Sequence, residues 1–423
     1  MHRRKFLGSA MGVASFATIG VSWTAACGIA LPRMALAQTQ PDDGDVVDAN
    51  GPLTEDALQK RLMARAGGGR VIVSRAFRIQ RGLVIPSGCQ IEFLQTVYCA
   101  APAQAMLVDD GRNVHIRFAS IVGDSEQDGQ SGIVLRNSRQ CTIVGGAMVN
   151  VLNKGIDIVS DGAPCDGNEV RVTRIEGATG KDGAGVSIFG AGAVGNRVIS
   201  GEFSKNRIGI TINGGQRNEV AGVTCNGNDA AGIMIDGMVT GAGDGGKYNT
   251  IHGAICNLNG RTTNAYGGVY LGNGSSFNRI EHVKSQDNRG AGCRMSGGSG
   301  YENENNVFVA FQADGNAAGG FVASASPRTQ LVGIQANHNA GHGIHLFHSD
   351  GCAVSGSASG NGKDGLLLQS AGAVVQGFDA SSNLGYGIQV ANGGQTSELV
   401  RVSGFRGTGN LLGATKGISG IPQ

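Results

Sequence analysis

Gly232-Ile233-Met234-Ile235-Asp236 is a glycine followed by a short strand, and this pattern is written eleven times in the chain. The other copies begin at Gly132, Gly155, Gly185, Gly209, Gly268, Gly292, Gly320, Gly343, Gly365 and Gly387, at intervals from 22 residues (Gly343 to Gly365) to 36 residues (Gly232 to Gly268). A unit of that length, repeated with insertions, predicts a solenoid in which each coil adds one strand to a continuous sheet. Neighbouring residues on a strand point to opposite faces, so the first and third residues after each glycine must share an interior. Those columns, Ile133 to Ile388 and Leu135 to Val390, are apolar in every copy. The column between them is mixed: Val134, Asp157, Ser187, Thr211, Met234, Tyr270, Arg294, Val322, His345, Leu367 and Gln389. It is expected to face outward, and any chemistry on this sheet starts there.

Asparagine marks the corners. Asn168, Asn196, Asn218, Asn249, Asn278 and Asn305 each stand two residues before a β-branched residue, and Asn206, Asn228, Asn288, Asn316, Asn339, Asn361 and Asn383 stand a few residues before a strand glycine. Asparagine tolerates left-handed backbone angles and bonds locally. Stacked in successive coils, the amides would also bond to one another along the axis, as ladders do in stacked sheets. The expectation is an all-β chain whose coils lie in register, each with at least two strands and two asparagine corners.

The 73 glycines and 5% aromatic content would suggest low complexity without the period. A formal net charge of +2, with no block of like charge, argues against nucleic acid or an anionic membrane surface as a partner. Residues 1–37 read as an address. Arg3-Arg4-Lys5-Phe6-Leu7 is a twin-arginine pattern, followed by a weakly apolar run and the small-x-small exit Ala35-Leu36-Ala37. Cleavage before Gln38 would deliver a periplasmic or secreted protein with no stable membrane insertion. A retained anchor is the alternative, because the run from Phe6 to Leu31 is long enough to cross a bilayer. Cys27 after Ala25-Ala26 is a weaker, lipoprotein-like alternative. Of the eight remaining cysteines none lies in a Cys-x-x-Cys pair. Cys225 and Cys256 take a place where an earlier coil has Phe203, so they are expected to be neighbouring core thiols, and an oxidising compartment would allow them to join.

Residues 38–52 form a polar lead-in, and 53–423 are expected to be one elongated domain. Leu53 to Ala66 has helical spacing, with Thr54 as N-cap and Gly67-Gly68-Gly69 as the stop, and would cover the open N-terminal end of the solenoid. Leu399 to Gln423 loses the repeat and is read as an irregular C-terminal cover. The succession of a capping helix, Gly67-Gly-Gly-Arg-Val-Ile-Val73, Leu83-Val-Ile-Pro86-Ser-Gly88 and then asparagine-and-glycine coils resembles the pectin-lyase-like superfamily of right-handed parallel β-helices. With its twin-arginine leader, the chain is also similar to exported bacterial β-helix repeat proteins. The resemblance implies a carbohydrate-active protein, a polysaccharide lyase, glycoside hydrolase or epimerase acting on an acidic glycan. A non-catalytic glycan-binding or envelope solenoid is the alternative, because the family's catalytic signatures are absent: Arg-x-Pro-x-x-Arg, Asn-Thr-Asp, Arg-Ile-Lys and Asp-Pro-His-Asp. Gly341-His342-Gly343 matches the hydrolase Gly-His-Gly only where the ordinary repeat glycine falls.

Three turns are longer than the rest, Asp236 to Asn249, Asn257 to Gly268 and Ser296 to Asn305, and function in a solenoid tends to occupy such projections. They carry Asp244, Lys247, Tyr248, Arg261, Tyr266, Tyr301, Glu302 and Glu304 towards coils whose outward column offers Tyr270 and Arg294. Arginine neutralises a uronate, tyrosine or a carboxylate moves a proton, and aromatics stack on sugar rings. The expected centre is therefore Asp236, Tyr270 and Arg294, with Asp244 as a second acid and Tyr266, Tyr301, Glu302 and His345 as substrate contacts. The competing reading is that the insertions are neutral and the polar column only solvates the sheet. No cofactor motif is present. His338, His342, His345 and His348 crowd one coil without converging, and no metal is assigned to them. Asp236, Asp244, Glu302 and Glu304 offer calcium hard oxygen ligands but no calcium-loop spacing, so acids on solvated loops are the preferred reading.

Overall fold

The computed structural model describes residues 45–47, 53–124, 129–237, 245–391 and 400–418, so the leader, most of the lead-in and Asp244 lie outside the described residues. The repeat builds a 14-stranded parallel sheet that runs from Leu83–Val84 to Gly413–Lys416. Its register follows the sequence columns: Ile133 pairs with Ile156, then Val186, Ile210, Ile233 and Val269 follow in successive coils. Both inward columns are buried, Ile233 and Ile235 completely. The outward column differs from expectation at its centre. Ser187, Thr211 and Met234 point away from the core yet are buried at the floor of a groove, and Tyr270 is buried beside them in a small apolar cluster under Tyr266.

The other face of the coil is a 19-stranded parallel sheet. It is bent by a left-handed residue in many coils, among them Gly222, Gly253, His282 and Ala310, and the bend splits Arg279–Glu281 from Lys284–Gln286. The coil thus has a third corner, which carries no asparagine signature.

Two buried ladders hold the asparagine corners. In the first, each side-chain amide of Asn168, Asn196, Asn218, Asn249 and Asn278 donates to the next carboxamide oxygen at 2.9–3.1 Å, ending on Asn306. Asn306 takes the place expected for Asn305, because Ile280 pairs with Phe308 and the register leaves Asn305 outside with a φ of 55°. The second runs through Asn228, Asn259, Asn288, Asn316, Asn339, Asn361 and Asn383 to Asn410. Asn259 and Asn410 were not among the expected corners, and Asn410 belongs to a further coil formed by Arg401–Ser403, Arg406–Thr408 and Gly413–Lys416. The repeat therefore continues past the point where its sequence signature fades.

The strand glycine has a steric cause. A Cβ on Gly232 would lie 2.6 Å from the Gly268 carbonyl oxygen of the next coil and 2.9 Å from the Asn259 amide nitrogen. Gly232→Ala should accordingly destabilise the fold by about 2–3 kcal/mol through overpacking, read as a lower urea midpoint at unchanged slope. A variant as stable as the parent would show that the coils can move apart at no cost.

The helix Glu55–Ala64 caps the N-terminal end, with Thr54 accepting from the Ala57 amide and with Leu58 and Leu62 fully buried. Its side chains also finish the edge strand Leu83–Val84. Gln59 donates to the Val84 carbonyl and accepts from the Val84 amide, both at 2.9 Å, and the Glu55 carboxylate accepts from the amides of Gln80, Arg81 and Gly82. An edge satisfied in this way has nothing left to offer a pairing strand. All eight cysteines of the described residues are free and buried, Cys225 and Cys256 among them. In-register parallel strands hold facing side chains about 4.8 Å apart, wider than the 3.5–4.5 Å between the Cβ atoms of a disulfide, so the two thiols stack without joining.

Candidate functional site

A groove of about 530 Å³ lies on the outer face of the repeat sheet. Its floor is the outward column from Asp157 through Ser187 and Thr211 to Met234, and its walls carry Lys154, Asp182, Arg207, Asp236 and Tyr266. The floor divides by chemistry. Ile208, Ala230, Met234 and Tyr270 form a small apolar cluster outside the main core, with Tyr266 packed on it. The Tyr266 and Tyr270 rings meet edge to face at 4.9 Å. The opposite end is polar and charged.

At that end Asp157 is half-buried, and its Oδ1 is shut off from solvent with no hydrogen-bond partner. Burial pushes its carboxyl above the usual carboxylate range, against the opposing effects of a Ser187 hydrogen bond and the Lys154 charge. Burial also pushes the Lys154 ammonium below its ordinary value, and Arg207 acts in the same direction while Asp157 and Asp182 oppose. A carboxyl biased to hold its proton and an amine biased to lose one thus line a single open groove, beside the fixed positive charge of Arg207.

The structure divides the residues expected from the sequence. Asp236, Tyr266 and Tyr270 do come together at the apolar end. Asp236 Oδ1 accepts from the Gly237 amide at 2.9 Å and from the Asn273 side chain at 2.8 Å, while burial raises its carboxyl. Tyr270 is pushed up to about 12, first by burial and then by the Asp236 charge. Arg294 pairs in register with Tyr270, but its guanidinium donates to the Ala265 carbonyl at 2.7 Å and so ties the Asn257–Gly268 insertion down. Tyr301 and Glu302 line a separate corner recess with Lys247, Phe277 and Glu304. His345 lies further along the sheet, bonded to Gln369 at 2.7 Å and pushed down by burial. Its neighbour His342 faces Asp364 at 3.2 Å. Of the acids considered for calcium, Asp236 is in the groove, Glu302 and Glu304 are in the recess, and Asp244 is outside the described residues. Among the described residues no three histidine, cysteine or carboxylate side chains gather as a metal site.

Lys154, Asp182 and Arg207 were not picked out from the sequence. Lys154 stands just before its strand glycine, in a column that otherwise reads Ser131, Ala184, Ile208, Ala231, Gly267, Ala291, Gly319, His342, Asp364 and Tyr386; strict alternation from the inward Ile156 would turn it to the core, and the fold instead places it on the groove.

No family model and no curated protein matches the sequence. Among solved structures, the periplasmic alginate epimerase AlgG superposes with a TM-score of 0.56 at 14% identity, over 85% of this chain and 83% of its own. The pre-mature gene product 12 of bacteriophage phi29 superposes with a TM-score of 0.57 at 13% identity, over 84% of this chain and 54% of its own. This chain is a right-handed parallel β-helix. At such identities the likeness is one of fold, and the function of this β-helix has to be argued from its own groove. No helix among the described residues is long and apolar enough to cross a membrane.

Proposed function

We propose that this β-helix is an exported, carbohydrate-active protein that works on an acidic polysaccharide in the groove running from Lys154 to Tyr266. The observation that carries the reading is the Asp157 carboxyl, one oxygen of which is shut off from solvent without a partner, beside Lys154 and Arg207 in a groove open enough for a chain to pass. Arg207 neutralises a uronate carboxylate and so acidifies the proton on the adjacent carbon. Lys154, with its proton affinity lowered, takes that proton. Asp157, protonated, donates to the glycosidic oxygen in an elimination, or returns a proton to the carbon in an epimerisation. Tyr266, held edge to face by Tyr270, packs on a neighbouring sugar unit, and Asp236 accepts from a hydroxyl group. Arg294 serves by holding the Tyr266 loop, and His345 contacts the chain further along the same sheet. That an alginate epimerase shares this fold supports an acidic glycan as substrate, without selecting the bond.

The test is incubation with polymannuronate, polygalacturonate and a neutral glucan, reading unsaturated-sugar absorbance, reducing ends and deuterium uptake from heavy water separately. Absorbance or deuterium uptake on an acidic chain only is the expected result. Retention on a polysaccharide column with no product in any channel would favour the non-catalytic solenoid instead.

Export is proposed to follow the twin-arginine route, supported by Arg3-Arg4 and the Ala35-Leu36-Ala37 exit. Arg3→Lys with Arg4→Lys should hold the precursor in the cytoplasm, and a mature N-terminus other than Gln38 would move the cleavage site.

A further inference from the structure

The residue just before each first-ladder asparagine has a left-handed backbone. In two coils it is glycine, Gly167 (φ 65°) and Gly195 (φ 66°), as sterics favour. In the next three coils it is Arg217 (φ 52°), Tyr248 (φ 59°) and Phe277 (φ 60°). A bulky side chain there costs about 1–2 kcal/mol relative to glycine. The core gains nothing from it, since Tyr248 is 48% and Phe277 39% exposed. The three side chains stack on one another instead. The Arg217 guanidinium lies 5.4 Å from the Tyr248 ring centre, and the Tyr248 and Phe277 rings are 5.1 Å apart with planes 18° from parallel.

Phe277 ends the stack in the recess noted above, of about 180 Å³, shared with Lys247, Tyr301, Glu302 and Glu304. That is the volume of roughly six waters at ~30 Å³ each, room for one sugar ring but not for a chain. Tyr301 is 40% exposed. The hairpin bridge between Gly298 and Tyr301 and the bond from the Gly300 amide to Glu302 hold the turn that carries it. Glu304 is already neutralised by Arg328. Glu302 and Lys247 make no ion pair among the described residues, so one acceptor and one donor of opposite charge face the same small space.

We infer that this corner recess is a second carbohydrate site, which takes a single neutral pyranose unit. The C–H face of the ring packs on Tyr301 and Phe277, its hydroxyl groups donate to Glu302, and Lys247 donates to a ring or hydroxyl oxygen. A uronate gains nothing over a neutral sugar, because the attraction of Lys247 for its carboxylate is offset by the repulsion of Glu302. The site is independent of the groove reading: it lies at the corner rather than on the sheet face, and it shares no residue with the groove.

The chain has six tyrosines, so 3-fluorotyrosine labelling gives one fluorine resonance each, with Tyr301→Phe and Tyr266→Phe identifying two of them. Cellohexaose and xylohexaose are the neutral probes, and an oligomannuronate probes the groove. A neutral probe should shift the Tyr301 resonance saturably, and Glu302→Gln should weaken that titration about tenfold, the loss of one charge-assisted hydrogen bond. A still Tyr301 resonance with both neutral probes, or a titration unmoved by Glu302→Gln, overturns the inference, even where oligomannuronate shifts Tyr266. A responding Tyr301 beside a Tyr266 silent to oligomannuronate supports the corner site and counts against the groove.

Discussion

Asn259→Ala should destabilise the fold by about 4 kcal/mol, the largest single-residue effect expected outside the apolar core. Asn259 is 1% exposed and works in four directions. Its amide nitrogen donates to the Cys225 carbonyl at 2.9 Å and to Asn288 at 3.1 Å, and its carboxamide oxygen accepts from both the backbone and the side chain of Asn228. Alanine leaves the Asn228 backbone amide and the Cys225 carbonyl buried without partners, at about 1–3 kcal/mol for each group so stranded. Asn410→Ala is the control. That residue ends the ladder, is only half-buried, and bonds the Ala380 carbonyl and Asn383 on one side alone. Its loss should cost about half as much or less. Urea unfolding followed by circular dichroism compares the two, and equal costs would mean that the ladder gains nothing from being continuous.

That comparison also shows why the ladder was only partly legible. The corner asparagines near a regular Gly-apolar strand were recovered because two signals agreed on one register. Asn259 is separated from its strand glycine by the insertion that carries Tyr266, so counting back from Gly268 passes over it. Asn305, two residues before Val307, satisfied the local pattern and Asn306, two residues before Phe308, did not, and strand pairing of Ile280 with Phe308 overrides the pattern. The inward columns were unambiguous because an alternation of apolar residues in eleven copies admits one face. The site was harder. Loop length drew attention to Tyr301 and Glu302, which the fold carries to a corner, while Arg294, expected at the centre, is taken up by the Ala265 carbonyl. Burial of the outward column cannot be read from a strand in isolation. It follows from Tyr266 and the Asp182 and Arg207 turns rising beside the sheet, and it turns Asp157 from a solvated acid into one with an oxygen lacking any partner.

Asp157→Asn should lower turnover of the acidic polysaccharide by about 10²–10³-fold while making the protein more stable at neutral pH. The two effects share a cause. The folded-state pKa of Asp157 is raised above its unfolded value, so the stability linked to this group is fully present below the unfolded pKa and is lost as pH rises through the folded one. Asparagine keeps the uncharged form at every pH. Its stabilising effect should therefore appear at neutral pH and vanish in acid below the ordinary carboxylate range, near 3.9. Activity carries the complementary signature. If Asp157 acts as the acid, the rate falls as pH rises through its pKa. If Lys154 acts as the base, the rate climbs as pH rises through its own lowered value. The parent profile is then bell-shaped, with the falling limb absent in Asp157→Asn and the rising limb absent in Lys154→Ala. Lys154→Ala also removes the charge that holds the Asp157 pKa down, so its remaining limb should move to higher pH. A stabilised Asp157→Asn protein with the parent's turnover and pH profile would leave Asp157 as a structural carboxyl and shift the chemistry to the Asp236 and Tyr266 end of the groove.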